Sequence, residues 1–243
     1  MLVGAGKYGI YNDKSDVTIK NGTIAGSGTK PSTDILLWRG INNTTIENVT
    51  MKDASDGILM GAGAFTNLTL SGNTFINNSD YGLTDKASWG AISIDGLVMT
   101  NNTFTDNGYD AAELNDVTNI TAANNVINGG AGFGIILNRS YMPSITPSMF
   151  TCNDVPGCLV LKNIQAPAAT RMVVSDYDLD GHSIASNFIQ INEGSANITV
   201  KNNTLTHFTD AGIIIGGGDH KNLTIQNNTI TSSKNGIQIA NFW

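Results

Sequence analysis

The sequence has little charge and little proline. Charged residues make up 14% of the 243 residues, and proline occurs only 5 times; an average globular protein carries roughly 25% charge. The 13 Lys and Arg are outnumbered by 20 Asp and Glu and form no cluster. This balance argues against a nucleic-acid partner, because no basic patch exists to neutralise phosphates. No apolar run reaches the ~18 residues of a membrane span, so no membrane-spanning segment is expected.

Cysteine is equally scarce. The only two are Cys152 and Cys158, and Pro156-Gly157 lies between them, where a turn could bring them together. A small-loop disulfide and two free thiols both fit this spacing. The segment 1–7 has neither a basic region nor a long apolar core, so no secretory signal is recognisable in this chain.

Asn, Thr and 27 Gly are abundant, and they recur in a nine-residue block. The block reads Asn/Asp, apolar, Thr, apolar, any residue, Asn/Gly, Asn/Gly, Thr, apolar, as in 67–75 (NLTLSGNTF) and 222–230 (NLTIQNNTI). Block starts fall at 16, 43, 67, 96, 119, 197 and 222, and a degenerate copy begins at Arg171. This period predicts a solenoid with one coil unmatched between 119 and 171.

The pattern inside each repeat predicts strands. Apolar residues alternate with Thr in the first half of the block, the Asn/Gly pair indicates a tight turn, and a short second strand follows. A third strand opens with Gly, as at Gly57, Gly134, Gly212 and Gly236. We therefore predict an all-β fold: a single-stranded parallel β-helix of about 8–9 coils, forming one domain over 1–243.

These blocks resemble the pectate-lyase-like superfamily of right-handed β-helices, including the repeats of periplasmic copper-maturation proteins. The resemblance covers nearly the whole chain and implies a right-handed coil. It also implies an extracellular or cell-surface protein with a polysaccharide partner. The superfamily contains lyases, hydrolases, epimerases, phage tailspikes and non-catalytic surface proteins, so the fold alone does not select an activity.

Two stretches break the rhythm and are interpreted as loop insertions, near 84–90 and near 138–157. In solenoids such insertions project from one side and often shape a binding site, although a drifting surface loop explains them equally well. The paired asparagines at successive turns predict an asparagine ladder along the axis. Because the repeat itself creates Asn-X-Ser/Thr sequences, we interpret most of these as by-products rather than glycan sites.

An acidic run occupies 176–181 (DYDLDG). Its aspartates, Asp176, Asp178 and Asp180, have the spacing of hard oxygen ligands and are candidate ligands for Ca²⁺, the one cofactor that the sequence suggests. Asn187 stands where a bidentate carboxylate would complete the loop, so a solvated acidic turn is the alternative.

The same run contains Tyr177, Asp180 and His182 in a Y-x-x-D-x-H order that resembles the catalytic motif of mannuronan C5-epimerases. The resemblance implies proton abstraction and return at a sugar carbon. Asp178 and Gly181 depart from the family's Gly after the Tyr and Pro before the His. A surface histidine beside acids is the simpler interpretation.

The superfamily binds sugar outside the Gly-opened strand. Our register places eight residues on that outward face: Leu36, Leu59, Ser93, Glu113, Ile136, Gln190, Ile214 and Gln238. Glu113 is the only acid among them, and Glu113, Asp116 and Arg139 are the best candidates for a catalytic polar cluster. Trp38, Trp89 and Tyr141 are candidate sugar-binding aromatics. The polygalacturonase motifs are absent, so whether the chain is an enzyme stays open.

Two functions are compatible with these patterns. One is a carbohydrate-directed β-helix that binds, and in some members of its fold modifies, a polysaccharide. The other is a structural or adhesive module whose coils self-associate end to end, because neither terminus offers a capping helix and the apolar residues of the outward row favour protein contacts.

Overall fold

A computed structural model describes residues 7–26, 32–85 and 90–240. Within these ranges the regular structure is β-strand apart from one 3-10 turn at Ala168–Thr170, and the strands pair in parallel. The described chain contains no helix long and apolar enough to cross a membrane. The predicted parallel β-helix is therefore confirmed.

The Gly-opened strands form one sheet of ten strands, which we call the long sheet. Ten strands bound about nine turns of the solenoid, close to the predicted number. In order along the sheet they are Tyr8–Asn12, Thr33–Leu37, Asp56–Met60, Leu83–Asp85, Ala112–Asn115, Phe133–Asn138, Gly157–Lys162, Asn187–Asn192, Ala211–Gly216 and Asn235–Ala240.

The nine-residue blocks supply the other sides of the coil. In the earlier coils their strands join in one sheet: Thr18–Ala25, Asn42–Lys52, Gly63–Ser71, Thr74–Ile76, Ile92–Thr100, Thr103–Thr105, Val117–Thr118, Thr121–Ala123, Asn125–Asn128 and Phe150–Asn153. In the later coils the two halves of the block separate into two small sheets. These contain Ser144–Ile145, Met172–Ser175, Ile198–Lys201 and Thr224–Gln226 on one side, and Asp178–Asp180, Thr204–Thr206 and Thr229–Thr231 on the other.

The core runs along the axis as stacked columns of apolar side chains. Ile35, Ile58, Ile135 and Leu159 lie at equivalent positions of the long sheet and are buried. The rings of Phe75 and Phe104 stack with centroids 4.5 Å apart. Each coil therefore buries its inner side chains only against its neighbours, as expected of a solenoid.

Asparagines hold the turns between the strands. Asn67, Asn119 and Asn222 begin their blocks with φ between 52° and 54°, the left-handed region that Asn tolerates. A second row is buried: Asn102 donates to the Leu70 carbonyl and to Asn125 Oδ1, at 2.9 and 3.0 Å. Asn102 Oδ1 in turn accepts from the backbone and side chain of Asn73, at 3.0 and 3.1 Å. These stacked amides satisfy buried backbone groups, and this structural role is sufficient to explain the row.

The segment 138–157 differs from the predicted insertion. It contains the strands Ser144–Ile145 and Phe150–Asn153, and Leu159 pairs with Ile135 in the long sheet, 24 residues earlier. This is a coil of ordinary length, and it is the one in which the sequence shows no recognisable block. Its prolines and cysteines replace the usual block residues and conceal the repeat. Cys152 and Cys158 form a disulfide in this coil.

The coil around 84–90 is longer than its neighbours, since Ala112 pairs with Leu83, 29 residues earlier. Residues 86–89 lie outside the described ranges. A second long coil separates Leu159 from its partner Ile189 and includes the 3-10 turn.

Candidate functional site

The outward side of the long sheet carries one central row of side chains, which we call the outward row. Its members in strand order are Tyr11, Leu36, Leu59, Thr84, Glu113, Ile136, Val160, Gln190, Ile214 and Gln238. Seven of the eight predicted positions are in this row. Ser93 is not, because it pairs with Ala64 in a different sheet and Thr84 takes its place. The error comes from the 29-residue coil, which shifts the register.

The apolar members of the outward row are not an exposed stripe. Leu59 is 1% exposed and Val160 is completely buried, although neither belongs to the central core. Leu36, Ile136 and Ile214 are buried as well. The prediction that the aliphatic residues of this row favour protein contacts is therefore wrong, because their side chains are buried and only Tyr11, at one end of the row, is an exposed large hydrophobic residue.

An aromatic groove opens at the first coils of the long sheet. Tyr8, Tyr11, Leu36 and Trp38 line a space of about 420 Å³. The rings of Tyr8 and Tyr11 are 6.2 Å apart, and Trp38 lies over Gly61, where any side chain would collide with the indole. Trp38, a predicted sugar-binding aromatic, is thus held against the outward side of the sheet.

Tyrosines and carboxylates meet further along the same side. We call Tyr81, Tyr109, Asp110 and Glu113 the tyrosine–carboxylate face. Tyr81 and Tyr109 precede neighbouring strands of the long sheet, and their rings stack with centroids 5.6 Å apart and an interplanar angle of 21°. Tyr109 is 58% exposed. Glu113 is partly exposed in the outward row, and Asp110 Oδ1 accepts from the Phe133 amide at 2.6 Å.

The electrostatics of this face are dominated by burial and negative charge. Burial, reinforced by the charges of Glu113, Asp110 and other acids, raises the pKa of Tyr81 to about 12, so its hydroxyl stays protonated at neutral pH. Burial also raises the pKa of Asp110; the Phe133 amide and Lys162 oppose this shift, and Glu113 adds to it. Tyr81 therefore presents a neutral hydroxyl to this face.

A buried carboxylate borders the face. Asp85 ends its strand, and burial raises its pKa to about 6 even though the backbone and side chain of Asn115 donate to it at 2.8 and 2.7 Å. The charges of Glu113 and Asp116 push the pKa in the same direction as burial. Asp85 thus connects the tyrosine–carboxylate face to the turn that follows the next strand.

The predicted cluster of Glu113, Asp116 and Arg139 is only partly assembled. Arg139 Nε and Nη2 each donate to the Asp116 carboxylate at 2.7 Å, in a bidentate pair exposed at the end of the strands. This pair satisfies both of its members, and the hydrogen bond to Asp116 raises the pKa of Arg139. Glu113 instead faces Asp110 and the tyrosines, so its electrostatic partners are different from those predicted.

A polar groove lies on the later coils of the same sheet. Its volume is about 320 Å³, and its walls include Asn187, Gln190, Glu193, Asp210 and Ile214. Gln190 and Ile214 belong to the outward row. Asn187 Oδ1 is buried without a hydrogen-bond partner. The outward side of the long sheet therefore carries the aromatic groove, the tyrosine–carboxylate face and the polar groove, in this order across the strands.

Tyr141, another predicted sugar-binding aromatic, is not among the residues that line either groove. It is half-buried against the core and donates its hydroxyl to the Thr170 carbonyl. Trp89 lies outside the described residues.

The epimerase-like residues are not brought together either. Tyr177 is 2% exposed, packs on Phe188 and donates to the Thr146 carbonyl at 3.1 Å. Burial raises the pKa of its hydroxyl above the ordinary value. Asp180 lies outside the core, where its Oδ1 accepts from the His182 amide at 2.8 Å and contacts His207 Nδ1 at 3.0 Å. Tyr177 thus lies in the core whereas Asp180 and His182 are exposed, so the three side chains do not form one site.

Asp180 and His182 belong instead to a row of alternating aspartate and histidine side chains. His182 Nδ1 lies 3.0 Å from Asp154 Oδ1, and this contact raises the pKa of His182. The His182 amide, followed by His207, lowers the pKa of Asp180. This row of aspartate and histidine side chains is exposed and lies outside the long sheet.

The three candidate calcium ligands do not converge. Asp176 accepts from Ser175 Oγ at 2.7 Å, while Asp180 is engaged with His182 and His207. In residues 7–26, 32–85 and 90–240, no group of three or more acids, histidines or cysteines is placed to hold a metal ion. These residues do not fit a calcium site, and we assign no step to a metal.

The tyrosine–carboxylate face combines the groups that sugars require. Aromatic faces stack on the apolar side of a pyranose ring, and carboxylates accept hydrogen bonds from its hydroxyls. Tyr81, Tyr109 and Asp110 were not predicted as a set from the sequence. The available signal was a tyrosine just before the third strand in two consecutive coils, in 80–83 (DYGL) and 109–112 (YDAA).

Known proteins share this architecture. The family model for the right handed beta helix region matches residues 42–204 and 95–242. The A-module of the mannuronan C-5 epimerase AlgE4 from Azotobacter vinelandii is 13% identical with a TM-score of 0.51, over 94% of this chain and 76% of that one. An alginate lyase from Paenibacillus is 13% identical (TM-score 0.41; 90% and 87% covered), and PfbA, a surface adhesin of Streptococcus pneumoniae, is 14% identical (0.45; 94% and 63%). No curated protein matches the chain in sequence. At these identities the structural likeness shows the fold alone.

Proposed function

Because the chain belongs to the right-handed β-helix family, we propose that it binds a polysaccharide along the outward side of its long sheet. The observation that carries this proposal is the stacked pair Tyr81–Tyr109 beside Asp110 and Glu113. The aromatic groove at Trp38 and the polar groove at Gln190 extend the same surface in both directions. Strands in a sheet are spaced about 4.8 Å apart, so an extended chain lying across the strands contacts several coils in succession.

The protein is proposed to act outside the cytoplasm, at the cell surface or in the extracellular medium. The disulfide between Cys152 and Cys158 supports this location, because such bonds persist in oxidising compartments. Polysaccharides are also abundant there.

Substitution of Tyr109 tests the binding surface. We expect Tyr109→Ala to weaken glycan binding by about tenfold, equivalent to about 1.4 kcal/mol, because it removes one stacked ring from an exposed position. Tyr109→Phe keeps the ring and is expected to retain nearly full affinity. Affinity electrophoresis or calorimetry against a polysaccharide panel measures this effect.

Tyr141→Phe is the control for Tyr109→Phe, since Tyr141 lies in no strand of the long sheet and donates its hydroxyl to the Thr170 carbonyl. Equal binding by the wild type and Tyr109→Ala would place the glycan elsewhere. The same incubations report catalysis: new reducing ends indicate a hydrolase, and unsaturated ends indicate a lyase. An unmodified glycan would identify a binding module.

A structural or adhesive role is the second candidate. In the last described strand, Ile237 is 46% and Ile239 is 78% exposed, whereas their register partners Ile213 and Ile215 are buried. Exposed apolar side chains on a strand favour contact with another β-structure. We propose a second copy of this chain as the occupant, in an end-to-end stack.

A further inference from the structure

In the tyrosine–carboxylate face and the polar groove, carboxylates outnumber the cations beside them. Glu113 is the one charged residue of the outward row, and Asp110 and Asp85 lie next to it. At the later coils Glu193 and Asp210 line the polar groove. A ligand lying along this surface therefore meets carboxylates in each of its central and later parts.

Cations near these carboxylates compensate them only in part, and Lys162 of the strand Gly157–Lys162 lies near Asp110. Arg139 is held by both oxygens of Asp116 and is not available to a ligand without breaking that pair. Lys162 lowers the pKa of Asp110, which places its charge close to that acid. Lys234 approaches Asp210 only at 3.9 Å and is largely exposed. The surface keeps a negative balance, in line with the net charge of −7 for the chain.

The neutral groups present suit sugar hydroxyls and ring faces. The Tyr81–Tyr109 pair, Trp38 and Tyr11 provide aromatic surface, while Gln190 and Asn187 provide amides. Carboxylates accept hydrogen bonds from hydroxyl groups but repel other carboxylates, and like charges brought together disfavour the wrong partner strongly. The arrangement of these groups therefore favours uncharged ligands over negatively charged ones.

We propose that the polysaccharide bound along the long sheet is uncharged and not a polyuronate. This inference rests on the proposed function and specifies its ligand. It separates this chain from the proteins of similar fold that are named for alginate or mannuronan, since uronate chains carry a carboxylate on every residue.

A matched pair of polymers tests the proposal. Highly methyl-esterified homogalacturonan and the same polymer after de-esterification share one backbone and differ in charge. They are compared with a β-glucan, a mannan and an alginate, by calorimetry with EDTA present and at low and high salt. We expect the tightest ligand to be neutral, bound at least about tenfold more tightly than any acidic polymer, with little dependence on salt.

A charge variant adds an independent readout. Glu113→Gln is expected to improve binding of the acidic polymers relative to the neutral ones, because it removes the repelling charge from the outward row. Asp95→Asn removes one negative charge from a different sheet. It is expected to change neither the binding of the acidic polymers nor that of the neutral ones.

The outcomes are distinct. Tightest binding to an acidic polymer, with EDTA or only after Ca²⁺ is restored, overturns the uncharged-ligand proposal and leaves the binding function intact. Binding to no polymer defeats the proposed function itself, and the ligand proposal fails with it.

Discussion

At the scale of single residues, the long sheet places several acids where water reaches them poorly. Asp34 is the extreme case: it is 1% exposed and Oδ2 lacks a hydrogen-bond partner. Burial raises its pKa to about 8, the Lys52 amide opposes this and the charge of Asp53 adds to it. Asp34 is therefore protonated at neutral pH in the folded protein.

This protonation makes stability depend on pH. The folded state holds a proton on Asp34 up to about pH 8, whereas the unfolded state releases it near the ordinary value of 3.8. The free energy of unfolding therefore falls as the pH rises between these values. We expect Asp34→Asn to raise the melting temperature at pH 8 and above, with a gain of at least about 1 kcal/mol, and to change it little near pH 4.

Melting temperatures measured from pH 4 to pH 9 check this expectation. Asp106→Asn is the control, because Asp106 is exposed and its left-handed φ of 49° is one that Asn also adopts. If Asp34→Asn and the wild type have parallel melting curves across this range, Asp34 does not carry the buried proton.

At the scale of the elements, short strands are held by stacked asparagines at their turns. Asn102 is completely buried and serves the Leu70 carbonyl, the Asn73 amide and two neighbouring asparagine side chains at once. Its neighbour Asn101 is exposed and makes one side-chain contact, with Asn124 at 3.2 Å. The two residues are adjacent in sequence and unequal in structural role.

We expect Asn102→Ala to lower the free energy of unfolding by about 3 kcal/mol, because several buried polar groups lose their partners together. Asn101→Gly is expected to change it by no more than about 0.5 kcal/mol, since Gly adopts the φ of 56° found there without strain. Urea unfolding followed by circular dichroism compares the pair. Similar losses in both variants would mean that the buried row adds nothing beyond the turn itself.

At the scale of the whole molecule, the coils stack so that every strand of the long sheet except the outermost has two neighbours. The last described strand, Asn235–Ala240, exposes Ile237 and Ile239. Head-to-tail contacts between copies, as in the proposed stack, do not close into a ring.

If end-to-end stacking occurs, light scattering should show a mass that rises with protein concentration above the 25.6 kDa of one chain. Ile239→Lys should then reduce the rise by placing a charge on the contact. Ile184→Lys is the control, because Ile184 is also exposed but lies on a loop away from this strand. A constant mass of one chain over a wide concentration range would exclude self-stacking and leave the glycan-binding role.

The sequence by itself determined the architecture. Alternating apolar residues, Asn and Gly at left-handed turns and a Gly at the start of many third strands are local preferences that recur from coil to coil, so each copy reinforces the same fold. It also located most of the outward row, including Leu36, Glu113 and Ile214. The predictions were wrong at Ser93 and at the coil containing Cys152, because one long coil and one degenerate block broke the phase on which the pattern depends.

Only the tertiary structure decided which side chains meet across coils. Tyr81 and Tyr109 stack although a long coil lies between them, Arg139 forms a bidentate pair with Asp116, and Tyr177 lies in the core away from the exposed His182. Such contacts depend on the length of each coil and on the rotation of each strand, and neighbouring residues of a strand point to opposite sides. A shift of the strand register by one residue moves each core side chain to the surface. The fold could therefore be predicted from the repeat period alone, whereas the site could be located only from the three-dimensional structure.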